Sequence, residues 1–277
     1  MVQIITDSSA LFTSQQAQEL GFEAIPLCVN IGELEGRDLL MDMDDFYKRI
    51  KSGQIPKSSQ PPVGEVLDMC EKYAGSEIIN ICMADGLSGT YQSACGVREM
   101  ASNKDDITVF NSKTLCGPHR HMVIKAQQMK EAGATKDEIM AYLQRAADSS
   151  SSFFIPQDFE FLRRGGRLTP AVATLGSMLK LKPVMTLTED CKRLDKHAIK
   201  RTLKAAVGTV IDFYKAKNLD KSHIVYISHA DCLEDAQNAA KQFNEAFPDV
   251  EVQILELSPA FVTQGGPQCF AIQDIEK

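Results

Sequence analysis

The feature that most restricts the folding of this chain is a repeated alternation of short β-rich runs with helix-patterned segments, starting at residue 2. VQIITD leads into LFTSQQAQELG, FEAIPLCVNI into MDMDDFYKRIKSG, EIINICMA into SGTYQSACGVREMAS, and ITVFNS into GPHRHMVIKAQQMKEAG. Such alternation predicts parallel strands joined by crossover helices. QIPKSSQPP reads as a loop ahead of the helix VGEVLDMCEKYAG, and Thr135 with Glu138 in TKDE forms a capping box that opens a helix running to about Ser149.

At 277 residues the chain exceeds a single domain of ~100–200 residues, and the polar run DSSSS at 148–152 is the natural boundary. The expected domains are therefore 1–150 and 151–277. Beyond the boundary, SSFFIPQ, KPVMTLT, HIVYISHA and EVQILELS read as strands. DFEFLRR, TPAVATLGSMLKL, HAIKRTLKAAVGTVIDFYKAKN and CLEDAQNAAKQFNEAF read as helices, and FVTQGGPQCFAI closes the chain.

Charge and composition exclude several classes. The net charge is −7 and no Lys/Arg run exceeds a pair, so the basic stripe that nucleic-acid backbones require is missing. The eight cysteines are scattered without a C-x-x-C pair, which fits reduced core thiols in a cytosolic protein. The N-terminal MVQIITDSS enters a strand pattern without a secretory h-region, and no stretch reaches the ~18 apolar residues of a membrane span. A cytoplasmic protein with at most peripheral membrane contact is expected.

The turn ADGLSGTYQSA at 84–94 carries the most chemistry. A strand, a glycine-containing turn and a helix N-terminus leave backbone N–H groups pointing outward, which suits an anion, and the Ser88 and Thr90 hydroxyls flank Gly89 there. The same segment misses the serine nucleophile elbow G-x-S-x-G, because Thr90 stands where the final glycine belongs. An esterase or acyl-transfer enzyme using Ser88 would also need a base, and the five histidines offer no evident pairing. His119 and His121 are two residues apart, whereas a helical metal pair needs wider spacing, so both read as solvated or capping residues. Neither a Walker sequence nor G-x-G-x-x-G is present.

Three loops repeat the logic of the Ser88 turn: ITDSSA with Asp7 and Ser8, PKSSQPP with Ser58 and Ser59, and TQGGPQ with Gln264, Gly265 and Gly266. Each alone is equally a cap or a turn. FLRRGGRLT at 161–169 places Arg163, Arg164 and Arg167 around two glycines, a combination suited to clamping a carboxylate or phosphate, or simply a solvated basic loop.

Taken in order, IITDSSALF, PKSSQP, GLSGTYQSA, FLRRGGRLT with the following LKLKPVMTLTED, IKRTLKAA and QGGP make the whole chain resemble the DegV family, the fatty-acid-binding subunit class of the bacterial fatty acid kinase system. The resemblance implies an α/β protein of two domains. The N-terminal one is a three-layer α/β/α domain with a parallel sheet, carrying the Ser/Thr head-group loops. The C-terminal one is a two-layer α/β domain with a mixed sheet, forming much of an acyl-chain tunnel.

The implied ligand is a single long-chain fatty acid between the domains, with no other cofactor and no metal. A separate fatty acid kinase catalytic subunit phosphorylates the carboxylate, so the chain itself needs no catalytic base. Ser58, Ser59, Ser88, Gly89, Thr90, Arg167, Gln264, Gly265 and Gly266 are the implied carboxylate site, with Asp7, Ser8 and Arg163 as secondary head-group candidates. Phe153, Phe154, Ile155, Phe161, Met178, Leu179 and Phe261 are the expected tunnel wall. Two positions depart from the family pattern: Gln264 replaces the histidine of His-Thr-Gly-Pro-Gly, and Ser58 the threonine of Thr-Ser-Gln-Pro. Glutamine donates a hydrogen bond but carries no titrating proton.

Overall fold

A computed structural model of the chain describes residues 2–174 and 181–277, which separate into two units, Met1–Asp148 and Ser149–Lys277. The first unit runs β1 (Val2–Asp7), α1 (Ser14–Glu19), β2 (Glu23–Ile25), β3 (Cys28–Ile31), β4 (Leu34–Arg37), α2 (Met43–Lys51) and β5 (Pro56–Ser59). It continues with α3 (Val63–Lys72), β6 (Glu77–Cys82), α4 (Thr90–Met100), β7 (Ile107–Asn111), α5 (Cys116–Glu131) and α6 (Lys136–Ser149). The expected capping box opens α6: Glu138 N–H donates to Thr135 Oγ1 at 3.3 Å, and Thr135 N–H to Glu138 Oε2 at 2.8 Å.

All pairings in the order β2-β1-β6-β7 are parallel, as the alternation requires. Period-two alternation along β1 sends Ile5 into a core with Val66 and Cys70 of α3, Val97 of α4 and Ala101 just after it. Thr6 points the other way, to His119 on α5. Helices thus cover both faces of the sheet, which gives the three layers.

Two local readings of the first unit are corrected. FEAIPLCVNI is not one strand: Pro26 has no N–H to donate to a ladder, and the chain leaves the parallel sheet at Ile25 and starts β3 at Cys28 in a different sheet. QIPKSSQPP is not all loop either, because Pro56–Ser59 pairs antiparallel with β3. With β4, which the sequence pattern did not announce, these strands form a small sheet of order β4-β3-β5.

The second unit runs β8 (Ser151–Ile155), α7 (Phe159–Gly165), α8 (Pro170–Ala173), β9 (Lys182–Leu187), β10 (Leu194–Lys200) and α9 (Leu203–Ala216). It ends with β11 (His223–His229), α10 (Leu233–Ala246), β12 (Glu251–Glu256), α11 (Pro259–Gly265) and β13 (Phe270–Glu276). Its sheet has the order β10-β9-β8-β13-β11-β12 and is mixed, with β11–β12 parallel and the other pairs antiparallel. The helix expected from His197 starts later: His197–Lys200 belongs to β10, paired with β9, and the Thr202 hydroxyl caps α9 by accepting the Ala205 N–H at 3.2 Å. Of the helix expected over TPAVATLGSMLKL, Pro170–Ala173 is helical, and Met178 and Leu179 lie outside the described residues.

The main core of this unit lies between the sheet and α9 and α10. Phe153 and Ile155 of β8 enter it, and the Phe153 ring meets Phe213 at 4.9 Å and Tyr214 at 5.8 Å in edge-to-face contacts. Phe154, on the opposite face of the strand, packs beside Phe159, Leu162, Leu168, Val172 and Met185. Phe153→Ala should therefore lower the stability of the second unit by about 3–5 kcal/mol, the range for emptying a buried aromatic site. Urea denaturation checks it, and a loss below about 1 kcal/mol would show that Phe153 is not packed in that core.

Candidate functional site

In an open parallel sheet, ligands bind beyond the carboxyl ends of the strands where the strand order reverses. In the order β2-β1-β6-β7 that place lies between β1 and β6. The β1 end continues into a short 3-10 turn over Ser8–Ala10, and the β6 end into the turn before α4. Asp7 ties the two together: Oδ1 accepts the Ser9 N–H at 2.9 Å, and Oδ2 accepts the Met83 N–H at 3.0 Å. Ser8 is committed as well, donating to Asp38 Oδ2 at 2.6 Å and accepting the Leu27 N–H at 3.1 Å. Both residues are buried. The secondary head-group candidates of this unit are thus framework groups whose polar atoms already have partners.

Beneath them lies a group that the sequence reading misplaced. His119 is neither solvated nor a cap; it is fully buried, with Nδ1 at 2.8 Å from Ser9 Oγ and Nε2 at 3.0 Å from Thr6 Oγ1 and 3.1 Å from the Ile81 carbonyl. A carbonyl only accepts, which assigns the proton to Nε2 and makes Nδ1 the acceptor of the Ser9 hydroxyl. Thr6 donates to the same Ile81 carbonyl at 2.8 Å. Burial holds the His119 pKa below the ordinary histidine value, against the Asp7 carboxylate and the Ile81 hydrogen bond, which act the other way. A small polar residue pattern around a buried imidazole leaves little sequence signal, because a histidine two positions from another resembles a surface pair.

The Ser88 turn is built by local bonds. Leu87 and Ser88 N–H groups both donate to the Ala84 carbonyl, at 3.1 and 3.2 Å, which folds the chain back above the strand end. Ser88 Oγ lies 2.8 Å from Thr90 Oγ1 and accepts the Thr90 N–H at 3.3 Å. Thr90 is buried, Ser88 half-buried and Gly89 exposed. Thr90 therefore sets the rotamer of Ser88, and Ser88 is the hydroxyl a ligand can reach. The partner of Ser88 Oγ is a hydroxyl and not an imidazole or carboxylate. Below the turn is a narrow cleft lined by residues including Thr6, Asp7, Asn80, Pro61 and Thr90, with room for about one water.

Ser58 and Ser59 end β5 opposite Val29 and Cys28. Successive side chains of a strand alternate, so the half-buried Ser58 and the exposed Ser59 face opposite sides of the small sheet. The next residue is the half-buried Gln60. Its carboxamide oxygen lies 2.6 Å from where a Cβ on Gly89 would stand, so the β5–α3 and β6–α4 loops meet.

The second unit brings its two glycine motifs together. Gly166 ends α7 in the left-handed region with φ 72°, and Gly266 follows α11 with φ 75°. A Cβ at Gly165 would strike the Gln264 carboxamide, one at Gly265 the Phe154 ring, and one at Gly266 would stand 3.0 Å from the Phe161 ring. FLRRGGRLT and QGGP, about 100 residues apart, are thus one constellation with Phe154 and Phe161 at its base.

The Arg167 guanidinium folds back to the Gly165 carbonyl, and its partial burial pushes its pKa down. Arg163 is held outward by Glu160 at 2.6 Å, and Arg164 lies over the Phe161 ring at 5.1 Å. Phe261 on α11 is half-buried. Of the eight cysteines, Cys70, Cys82, Cys116 and Cys269 are buried and Cys28, Cys95, Cys191 and Cys232 half-buried, so the core reading holds for four of them. Among the described residues no cluster of His, Cys, Asp and Glu is arranged to hold a metal, and no helix is long and apolar enough to cross a membrane.

Comparison with known proteins places this geometry. A family profile described as uncharacterised proteins of the DegV family matches residues 1–277. The chain is 31% identical over 271 residues to a DegV domain-containing protein of Halalkalibacterium halodurans, covering 96% of this chain and 95% of that one. It is similar to the crystal structure of DegV from Bacillus subtilis, described as a fatty acid binding protein, with a TM-score of 0.86 at 26% identity over 100% of this chain and 99% of the other. A Thermus thermophilus structure, described as fatty acid binding of a DegV family protein, matches with the same TM-score of 0.86, 26% identity and the same coverage, 100% and 99%.

The buried neutral imidazole has a pH consequence. Its folded pKa lies below the unfolded value of about 6.5, so its stabilising share is complete above that pH and is lost as pH falls through the folded pKa. Stability of the first unit should drop on acidification below about pH 6.5. His119→Gln should flatten that drop in urea midpoints taken from pH 8 to 5, and an unchanged slope would show that His119 is not the group titrating.

Proposed function

The chain belongs to the DegV family, and from that premise we propose that it binds one long-chain fatty acid with the carboxylate at the Ser88 turn. The observation that carries this reading is the opening of α4. There, the half-buried Ser88 hydroxyl is oriented by Thr90 beside an exposed Gly89, at the first turn of a helix whose leading N–H groups have no intrahelical partner. The similar structures from Bacillus subtilis and Thermus thermophilus are described as fatty acid binding, which supports the ligand class.

The energetics favour a division of labour. An acyl chain of about 16 methylenes at ~0.8 kcal/mol each yields on the order of 12 kcal/mol of gross burial, reduced by the cost of ordering. The helix terminus adds ~1 kcal/mol. The tail supplies affinity; the turn selects and orients the head. For the acyl chain the proposal keeps Phe154, Phe161 and Phe261, since Phe153 and Ile155 belong to the core against α9 and α10. The share of Arg167, Gln264, Gly265 and Gly266 in the head-group site rests on the motif they form.

The finer proposal is a cytoplasmic, non-catalytic subunit that presents the carboxylate to a separate ATP-dependent kinase for acyl-phosphate formation. Its support is that Ser88 is bonded to a hydroxyl and not to a base, so the site can hold a carboxylate without an activated nucleophile. The same bond weighs against the esterase reading of Ser88.

Ser88→Ala should weaken fatty acid binding by about tenfold or more, the value of one hydrogen bond to a charged group, and should cost no more than ~1 kcal/mol of stability. Displacement of a fluorescent fatty acid measures the first and thermal unfolding the second. Unchanged affinity would place the carboxylate elsewhere, and Ser88-dependent turnover of a p-nitrophenyl acyl ester would overturn the non-catalytic reading.

A further inference from the structure

Asn80 is a carboxamide in an otherwise apolar stretch of β6. Period-two alternation places it with Ile78 and Cys82 on the face that α3 and α4 cover, and it is only 5% exposed. Its Oδ1 accepts the Cys82 thiol at 3.5 Å. Burial pushes the Cys82 pKa well above the ordinary value, so the thiol keeps its proton and is the donor, which assigns the orientation of the amide. Asn80 Nδ2, with two hydrogens to give, has no hydrogen-bond partner among the described residues. Buried polar groups are almost always satisfied, by protein or by ordered water.

Asn80 lines the narrow cleft beneath the Ser88 turn, which has room for about one water and is closed by buried Val66 and Ala94. Asp7, Thr90 and Ser93 share its wall. Asp7 takes one N–H on each oxygen and retains a lone pair on each. Ser93 lies three residues after Thr90, on the same side of α4, and its hydroxyl likewise has no partner among the described residues. A buried water needs two to four polar partners. Here it would accept from Asn80 and Ser93 and donate to Asp7 and Thr90.

We infer that this cleft binds one ordered water, held by Asn80 and Asp7, and that the water sets the direction of the hydrogen bond between Thr90 and Ser88. The two hydroxyls lie 2.8 Å apart and either can donate. A water proton given to Thr90 Oγ1 turns the Thr90 hydroxyl onto Ser88 Oγ, and the Ser88 proton is left for a ligand. A carboxylate only accepts, so it needs that order; an alcohol both donates and accepts, and is served by either. Asn80 is thus a positioning residue that selects for the acid without touching it. This rests on the head-group reading of Ser88 above.

Two measurements test this. A crystal structure of the wild-type protein at atomic resolution should show a water within about 2.6–3.2 Å of Asn80 Nδ2 and of an Asp7 carboxylate oxygen. Palmitic acid and hexadecanol are then compared as competitors of a fluorescent fatty acid for wild type, Asn80→Leu, Thr90→Val and Ser88→Ala, with thermal unfolding of each. Asn80→Leu keeps the size of the side chain and removes its donor; it should weaken palmitate about tenfold and hexadecanol by less than about threefold, and Thr90→Val should do the same. A side chain that only supports the fold would weaken both competitors alike. If the cleft of the wild-type crystal holds no water, or if folded Asn80→Leu keeps the wild-type ratio of acid to alcohol while Ser88→Ala lowers palmitate affinity, the inference is overturned and the head-group reading stands. If Ser88→Ala leaves palmitate affinity unchanged, the head-group reading fails and the role of the water in selecting the acid falls with it.

Discussion

The architecture of the candidate site depends on the Asp7 carboxylate. Two strands that are parallel neighbours send their chains away from each other at their carboxyl ends, and something must fix the separation of the loops they release. Asp7 does so with one oxygen on each loop, Ser9 N–H on one side and Met83 N–H on the other. His119 and Thr6 reinforce the arrangement from below by satisfying the Ile81 carbonyl at the end of β6. An unpaired carbonyl at that depth would cost about 1–3 kcal/mol, so the network stabilises the sheet end and fixes the origin of the Ser88 turn together. Asp7 is therefore structural, and the Ser88 turn offers a ligand its hydroxyls and backbone amides.

That distribution suits an amphipathic anion in a protein of net charge −7. In the proposed reading, oriented hydroxyls and a helix terminus attract the carboxylate by local dipoles. It is also preorganised: Thr90 holds Ser88, and Gln60 lies against Gly89. Less conformational freedom is then lost when a ligand is held.

Much of this was legible in the sequence, and the exceptions have physical causes. The parallel sheet followed from alternation, and the Ser88 turn from glycines and hydroxyls at a strand-to-helix junction. The split of FEAIPLCVNI at Pro26 and the strand character of Pro56–Ser59 were hidden because a short strand in a three-stranded sheet is set by its partner, not by its own periodicity. His197–Lys200 read as helix because it adjoins a strong amphipathic segment; pairing with β9 overrode that local preference. Asp38 and Asn80 give no signal of their own in the sequence, and His119 reads there as a solvated or capping residue, because each is polar and defined by what it touches across many residues of sequence. Conversely, FLRRGGRLT and QGGP read as separate motifs in the sequence, and only the fold shows that Gln264 lies against Gly165 and Phe161 against Gly266.

The central claim is that the carboxylate of a long-chain fatty acid is received at the opening of α4. A crystal structure of the protein with palmitate bound tests it most directly. The account predicts a carboxylate oxygen within hydrogen-bond distance, about 2.6–3.2 Å, of Ser88 Oγ, beside Gly89. A palmitate carboxylate lying away from the Ser88 turn, or no palmitate bound at saturating concentration, would contradict it.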